Sequence, residues 1–372
     1  MKRIILLILI NSILIGCAPR FRVIGGPASV DQGSPTSDLV VSTQSIGSIE
    51  TPQILTSNGL EIYFIDPTIL VGKDYSGGVD KYLVQAIDAA RISVDMAIYS
   101  INLWSIRDSI INAYQRGVKI RMVMESENLE DEVPRELRSA GITILGDRRE
   151  GLMHNKFVII DRHDVWTGSA NMTIGSFFYD NNNLVHIHSD DVADDYLTEF
   201  DEMFVKDMFG SDSIGATPHP QVMVGADLVE IYFSPDDGVS EHILKLINSA
   251  SKSIYLMAYS FTSDELGSAI IRKAGEGIAV EGVMDDGQII SNTGTEFDNF
   301  SQAGIKIYRA GVNGLMHNKV IIIDGNIVIT GSYNFSSSAE VTNDENVLVI
   351  HSQEIAEKYL REYQRIISNL KN

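Results

Sequence analysis

A single cysteine, Cys17, stands among the 372 residues. One thiol excludes an intramolecular disulfide and any cysteine-rich metal site. Basic side chains are also scarce: 29 Lys and Arg face 50 Asp and Glu, a formal charge of −21. Such a surface is a poor coat for nucleic acid, whose binding rests on neutralised phosphates, yet it leaves room for a small basic pocket. Proline is sparse at 9 residues and glycine ordinary at 30, which excludes a collagen-like or low-complexity chain. The apolar run from Ile4 to Ile15, broken by Asn11 and Ser12, is shorter than the ~20 residues a bilayer span needs. With 44% hydrophobic residues the chain is still too apolar for disorder. Its length predicts roughly two domains, each able to bury a core without staples.

The N-terminus joins Met1-Lys2-Arg3, the short apolar run and Leu14-Ile15-Gly16-Cys17. This series resembles the signal peptide and lipobox of bacterial lipoproteins. The resemblance implies cleavage after residue 16, lipid on Cys17, and an extracytoplasmic protein anchored to a membrane through that lipid. Ala18 after the cysteine would point to the outer membrane or cell surface in a Gram-negative lipoprotein. Residues 17–57, with Gly25-Gly26-Pro27 and Gly33-Ser34-Pro35, read as the lipidated residue and a flexible tether.

The rest of the chain is a repeat. Glu61-Ile62-Tyr63-Phe64 recurs as Glu230-Ile231-Tyr232-Phe233, Ile98-Tyr99-Ser100 as Ala258-Tyr259-Ser260, and Ala140-Gly141-Ile142 as Ala303-Gly304-Ile305. Two halves, 58–212 and 226–372, are joined by a linker at 213–225 that carries Pro218 and Pro220. In each half, apolar strand-like runs alternate with helical periods. Runs of four at 157–160 and 320–323 have the length of buried strands. Each half closes with an amphipathic helix, in which Val192, Tyr196 and Phe200 match Ile355, Tyr359 and Tyr363. Strand–helix alternation with strands buried on both faces predicts an α/β sandwich, used twice.

One string carries the chemistry. His154-Asn155-Lys156, four apolar residues, Asp161, six residues and Gly168-Ser169-Ala170-Asn171 are matched by His317-Asn318-Lys319, Asp324 and Gly331-Ser332-Tyr333-Asn334 at identical spacing. His and Lys two apart on an extended chain share a face. The Gly-Ser turn permits close backbone approach, and Asn adds an amide donor. Two halves meeting about a pseudo-twofold axis would gather two His, two Lys and two Asn in one cleft. That set suits a phosphodiester: cations hold the anionic oxygens while one imidazole attacks and the other moves a proton. The lysines supply positive charge, so no metal or other cofactor is expected.

The string resembles the hallmark of the phospholipase D superfamily, His-x-Lys-x4-Asp-x6-Gly-Ser-x-Asn, in both copies without a gap. The resemblance covers the chain beyond the tether and implies a duplicated phospholipase D-like α/β sandwich, its halves sharing one active site in a monomer. It also implies a phosphohistidine intermediate, with His154 as nucleophile and His317 as general acid and base, though the two roles are interchangeable by symmetry. Lys156, Lys319, Asn171, Asn334, Ser169 and Ser332 would hold phosphate, while Asp161 and Asp324 would fix the motif loop. The family usually places an acid past the second element to hold the motif His. Glu345 stands 28 residues after His317 and is expected to serve it, favouring His317 as the acid. The same spacing from His154 falls on Asn182, so Asp180 is the candidate substitute.

Weaker features have plainer readings. His186-x-His188 is expected to be structural rather than metal-binding, and Trp104 to lie in the core. Phe177-Phe178-Tyr179 either packs locally or lines a substrate pocket. Glu125 and Asp285-Asp286 end equivalent strands and either rim the cleft or lie in solvent. The expected activity is hydrolysis of a phospholipid headgroup ester, or transfer of the phosphatidyl group to another alcohol. A metal-independent nuclease, with nucleic acid as substrate, is the alternative; a non-catalytic phosphate-binding lipoprotein is disfavoured because both motifs keep every reactive side chain.

Overall fold

The computed structural model describes residues 59–68, 75–149, 151–311 and 314–370. The expected signal peptide, Cys17 and tether lie outside the described residues. Seven strands form the first sheet: β1 Leu60–Ile65, β2 Ser93–Ile98, β3 Lys119–Met124, β4 Thr143–Gly146, β5 Lys156–Ile160, β6 Asp164–Gly168 and β7 Asn182–His188, in the order β1-β7-β6-β5-β2-β3-β4. The second sheet comprises β8 Gln221–Val224, β9 Asp227–Ser234, β10 Ser253–Ala258, β11 Ala279–Asp285, β12 Lys306–Ala310, β13 Lys319–Ile323, β14 Ile327–Gly331 and β15 Glu345–His351. Its order, β12-β11-β10-β13-β14-β15-β9-β8, repeats the first with β8 added at the edge. In each sheet the strands joined through helices pair in parallel, and those after the motif pair antiparallel.

The runs Phe157–Ile160 and Val320–Ile323 are rich in β-branched residues and fully buried, because helices cover both sheet faces. Outside the first sheet lie the helices Asp80–Ala89, Trp104–Gln115 and Glu132–Ser139. Between the two sheets lie the long helices Asp190–Lys206 and Gln353–Asn369. Ser189 and Ser352 cap them by accepting from Val192 N–H and Ile355 N–H. Tyr196, Phe200, Tyr359 and Tyr363 then fill one core shared by both halves.

Two expectations are corrected here. The stretch 213–225 is not only a link, since residues 221–224 form β8, hydrogen-bonded to β9. Trp104 is 44% exposed at the first turn of its helix rather than in the core. Strands β6 and β14 were not anticipated, yet they carry the Gly of each motif into position. Gly168 has φ 143°, and a Cβ there would lie 2.4 Å from the Asn183 carbonyl oxygen. Only glycine permits that approach.

Candidate active site

Each motif His stands two residues before the central strand that its Lys begins. Met153 and Asn155 turn inward on either side of His154, as Met316 and Asn318 do beside His317. The loops are stitched across the halves. His154 N–H donates to the Asp344 carbonyl and Asp344 N–H to Leu152; His317 N–H donates to Asn181 and Asn181 N–H to Leu315, all at 2.8–3.0 Å. Beneath them the amides of Asn346 and Asn183 donate to Asn155 (2.9 Å) and Asn318 (2.8 Å). These buried bonds tie each motif to the opposite half and fix both histidines in one cleft.

The partner of each imidazole comes from the other half. His154 Nδ1 lies 2.7 Å from Glu345 Oε2, and His317 Nδ1 lies 2.9 Å from Asn182 Oδ1. The expectation that Glu345 serves His317 is therefore corrected. A spacing of 28 locates the acid, but the pseudo-twofold axis delivers it to the other copy. Asp180 is no substitute acid for His154; it accepts from Leu315 N–H at 2.8 Å, in the loop before His317. A carboxylate only accepts, so Nδ1 of His154 carries the hydrogen and Nε2 keeps its lone pair. Asn182 Oδ1 also accepts from Ser169 Oγ at 2.8 Å while its amide nitrogen donates to Ser176, so its oxygen faces His317.

The lysines lie against the same backbone. Lys156 Nζ donates to the His154 carbonyl at 2.7 Å and Lys319 Nζ to the His317 carbonyl at 2.9 Å. Burial pushes the His154 imidazole down to about 4 despite the adjacent Glu345 carboxylate. Burial likewise lowers Lys156 to about 7. His317 and Lys319 are both held well below their ordinary values, by burial and by neighbouring cations. Four groups that could each carry a proton thus sit together, with Glu345 against His154 and Asp180 and Asp285 acting on Lys319.

Several expected site residues take other places. Asp161 and Asp324 do not reach the cleft. Asp161 accepts from the backbone N–H groups of Arg91, Ile92 and Ser93, and Asp324 from those of Ser251, Lys252 and Ser253. They clamp the turn entering β2 and β10, not the motif loop, and are structural rather than catalytic. The hydroxyls of Ser169 and Ser332 are fully buried and accept from Asn183 N–H and Asn346 N–H, so they do not face an incoming phosphate. Asn171 and Asn334 stay half-buried beside the cleft, and their buried Oδ1 atoms have no protein partner. Phe177 and Phe178 pack into the core, leaving Tyr179 exposed. His186 sits between Glu61 and Asp164, while His188 meets His163, both in structural polar contacts.

Sequence reasoning underrated two pairs. Glu125 and Asp285 are buried, neither rim nor solvated, and accept from Met153 N–H (3.1 Å) and Met316 N–H (2.9 Å) directly before each His. Tyr99 and Tyr259 pack their rings on His154 and His317, at 5.1 and 4.5 Å between centroids. Their signal was the recurrence of Tyr-Ser at the end of β2 and β10.

Two sheets, two cross-braced His-Lys pairs and one shared cleft define a phosphodiesterase assembled from two half-sites. The family model described as "Cardiolipin synthase, PLD-like domain" matches residues 83–204 and again 243–367. The chain is 32% identical over 163 residues to a phospholipase D of Rickettsia bellii, covering 42% of this chain and 81% of that protein. It is 28% identical over 130 residues to a mitochondrial cardiolipin hydrolase of Xenopus tropicalis, covering 35% of this chain and 61% of that one. Phosphatidylserine synthase of Haemophilus influenzae shares the fold with a TM-score of 0.61 at 14% identity, over 82% of this chain and 86% of that one. The chain belongs to the phospholipase D-like family.

Proposed function

We propose that the protein cleaves the headgroup phosphodiester of a phospholipid, with His154 as nucleophile and His317 as general acid and base. The observation that carries this reading is the His154 Nδ1–Glu345 hydrogen bond, which leaves Nε2 free to attack within reach of two lysines. Nε2 of His154 bonds to phosphorus as the P–O bond to the headgroup alcohol breaks, and protonated His317 gives its proton to that oxygen. The phosphorylated imidazole is cationic, and the Glu345 carboxylate stabilises it. His317, held by neutral groups (the Asn182 amide and the Ser169 backbone) and crowded by cations, surrenders its proton readily. It then takes one from water, whose oxygen attacks phosphorus and releases His154 and the phosphatidic acid. Replacing that water by an alcohol would give transphosphatidylation. Lys156, Lys319, Asn171 and Asn334 hold the non-bridging oxygens.

The lipid reading is supported by the −21 charge, which opposes binding to nucleic acid, and by relatives named phospholipase D and cardiolipin hydrolase. The lipobox-like Leu14-Ile15-Gly16-Cys17 supports a membrane-anchored, extracytoplasmic setting. Among the described residues, no helix is long and apolar enough to cross a membrane. The test is parallel hydrolysis of phosphatidylcholine vesicles and single-stranded DNA with EDTA present. Release of headgroup, lost in both His154→Ala and His317→Ala, supports the proposal; DNA cleavage without lipid cleavage overturns it in favour of a nuclease. Phosphate trapped on His317 in the His154→Ala protein would reverse the two roles.

A further inference from the structure

Both motif lysines are 1% exposed, and each ammonium donates to one main-chain carbonyl. Each also faces an aromatic ring. Lys156 Nζ lies 5.3 Å from the centre of Tyr99, and Lys319 Nζ lies 4.7 Å from that of Tyr259. The same two rings pack against His154 and His317. Their positions are fixed by neighbours: Asn128 donates to the Tyr99 carbonyl (2.8 Å), Tyr259 N–H donates to the Asn318 carbonyl (2.8 Å), and Gln288 donates to the Tyr259 hydroxyl (3.1 Å).

A buried ammonium tends to lose its proton. A carboxylate in contact would keep it charged, but would also neutralise the cation that a phosphate needs. A ring face attracts the cation through its quadrupole and leaves the full charge available. We propose that Tyr99 and Tyr259 are positioning residues, whose ring faces keep Lys156 and Lys319 charged and aimed at the phosphate while bracing the two imidazoles. The proposal rests on the phosphodiesterase reading of the cleft. The other groups at the lysines are Glu345, which acts on both, Asp180, Asp285 and Lys156, which act on Lys319, and His154 and His317, each of which interacts with both lysines. The substitutions remove none of these groups, and comparing the Leu with the Phe variants isolates the ring's effect.

The experiment measures affinity for inorganic phosphate by calorimetry from pH 5.5 to 8.5, and kcat/KM for bis(p-nitrophenyl) phosphate over the same range. The proteins are wild type and the variants Tyr99→Leu, Tyr259→Leu, Tyr99→Phe and Tyr259→Phe. Losing a desolvated cation–π contact should move the alkaline limb of both profiles down by about one pH unit in the Leu variants. Phosphate affinity then falls about tenfold at pH 7.5 and little at pH 5.5. The Phe variants keep the wild-type limb, because the quadrupole does not need the hydroxyl. An equal loss at every pH with no movement of the limb, or a Phe variant as damaged as its Leu counterpart, would overturn the proposal. If the Leu variants do not fold, fluorinated phenylalanine in place of Tyr99 or Tyr259 weakens the ring's field at nearly constant shape and must give the same shift. Phosphate binding is read apart from turnover, so a wild-type protein that binds phosphate but cleaves no diester refutes the functional reading while still testing the tyrosines.

Discussion

Glu345 reaches across the molecule to His154, and Asn182 reaches back to His317 with an uncharged amide. That difference separates two residues that the repeat makes formally equal. Glu345→Gln keeps a hydrogen-bonding side chain of the same size but removes the charge that stabilises a cationic phosphoimidazole. We expect kcat/KM on a soluble diester to fall about 10²–10⁴-fold, with thermal stability nearly unchanged. A loss below tenfold would remove Glu345 from the mechanism. The complementary change, Asn182→Asp, puts a carboxylate against His317 and should raise its proton affinity by about 1–3 pH units. The pH at which kcat loses its required acid should rise accordingly; a profile identical to wild type would show that His317 is not that acid. In the wild type, His154 must be neutral while His317 and Lys156 carry protons. With His154 at about 4, kcat/KM should fall as pH drops through that value; on the alkaline side it should fall first as His317, held well below its ordinary value, loses its proton, and further as Lys156 does at about 7.

Among the elements, the motif aspartates act on a turn rather than on the reaction. Asp161 and Asp324 adopt left-handed backbone (φ 53° and 55°), which Asp tolerates better than most residues. Each gathers three consecutive N–H groups where a helix hands over to β2 or β10. Asp161→Ala should cost about 1–3 kcal/mol of stability by denaturant unfolding, while kcat per folded molecule stays close to wild type. Lost kcat with unchanged stability would return Asp161 to the active site. Although burial raises it, backbone and Ser251 hydrogen bonds hold the Asp324 carboxyl at about 2, below its unfolded value of about 4. Its contribution is therefore complete above pH ~4 and lost as pH falls towards 2. The duplication, the buried four-residue runs and the paired motif were legible in the sequence because each is written in local periodicity or spacing. The partners of the histidines were not, because spacing runs along one half while contact crosses to the other. Nor was β8, whose four residues follow two prolines and alternate exposed and buried at a sheet edge, too short a pattern to set it apart from a linker. Trp104 misled because a large aromatic usually buries itself, whereas here it begins a helix on its exposed side.

At the scale of the whole molecule, acidic charge governs how stability follows pH. Carboxylates are pushed up by burial, among them Asp195 and the half-buried Asp236 to about 6, Asp344 to about 7 despite Arg149 beside it, and Glu199 well above its ordinary value. A carboxyl raised on folding binds more protons folded than unfolded, so its stabilising contribution is complete below pH ~4 and is lost as pH rises through its folded value. Repulsion within a chain of charge −21 weakens in the same direction. Lys156 and Lys319 oppose this trend, since their lowered values make the folded state gain on the unfolded one as pH rises towards ~10. The two motif histidines oppose it below pH ~6.5, where the unfolded imidazoles take up protons before the folded ones. Between pH 8 and 6.5 the raised carboxylates and the net charge act against the two lysines, and the motif histidines are still mostly neutral in both states. Tm should therefore rise as pH is lowered from 8 to 6.5 at constant ionic strength, and turn down at more acid pH. Scanning calorimetry across pH 5–9 checks this. A Tm that climbs steadily from pH 6.5 to 8 would mean that the lysines of the cleft, and not the raised acids, dominate the proton balance of folding.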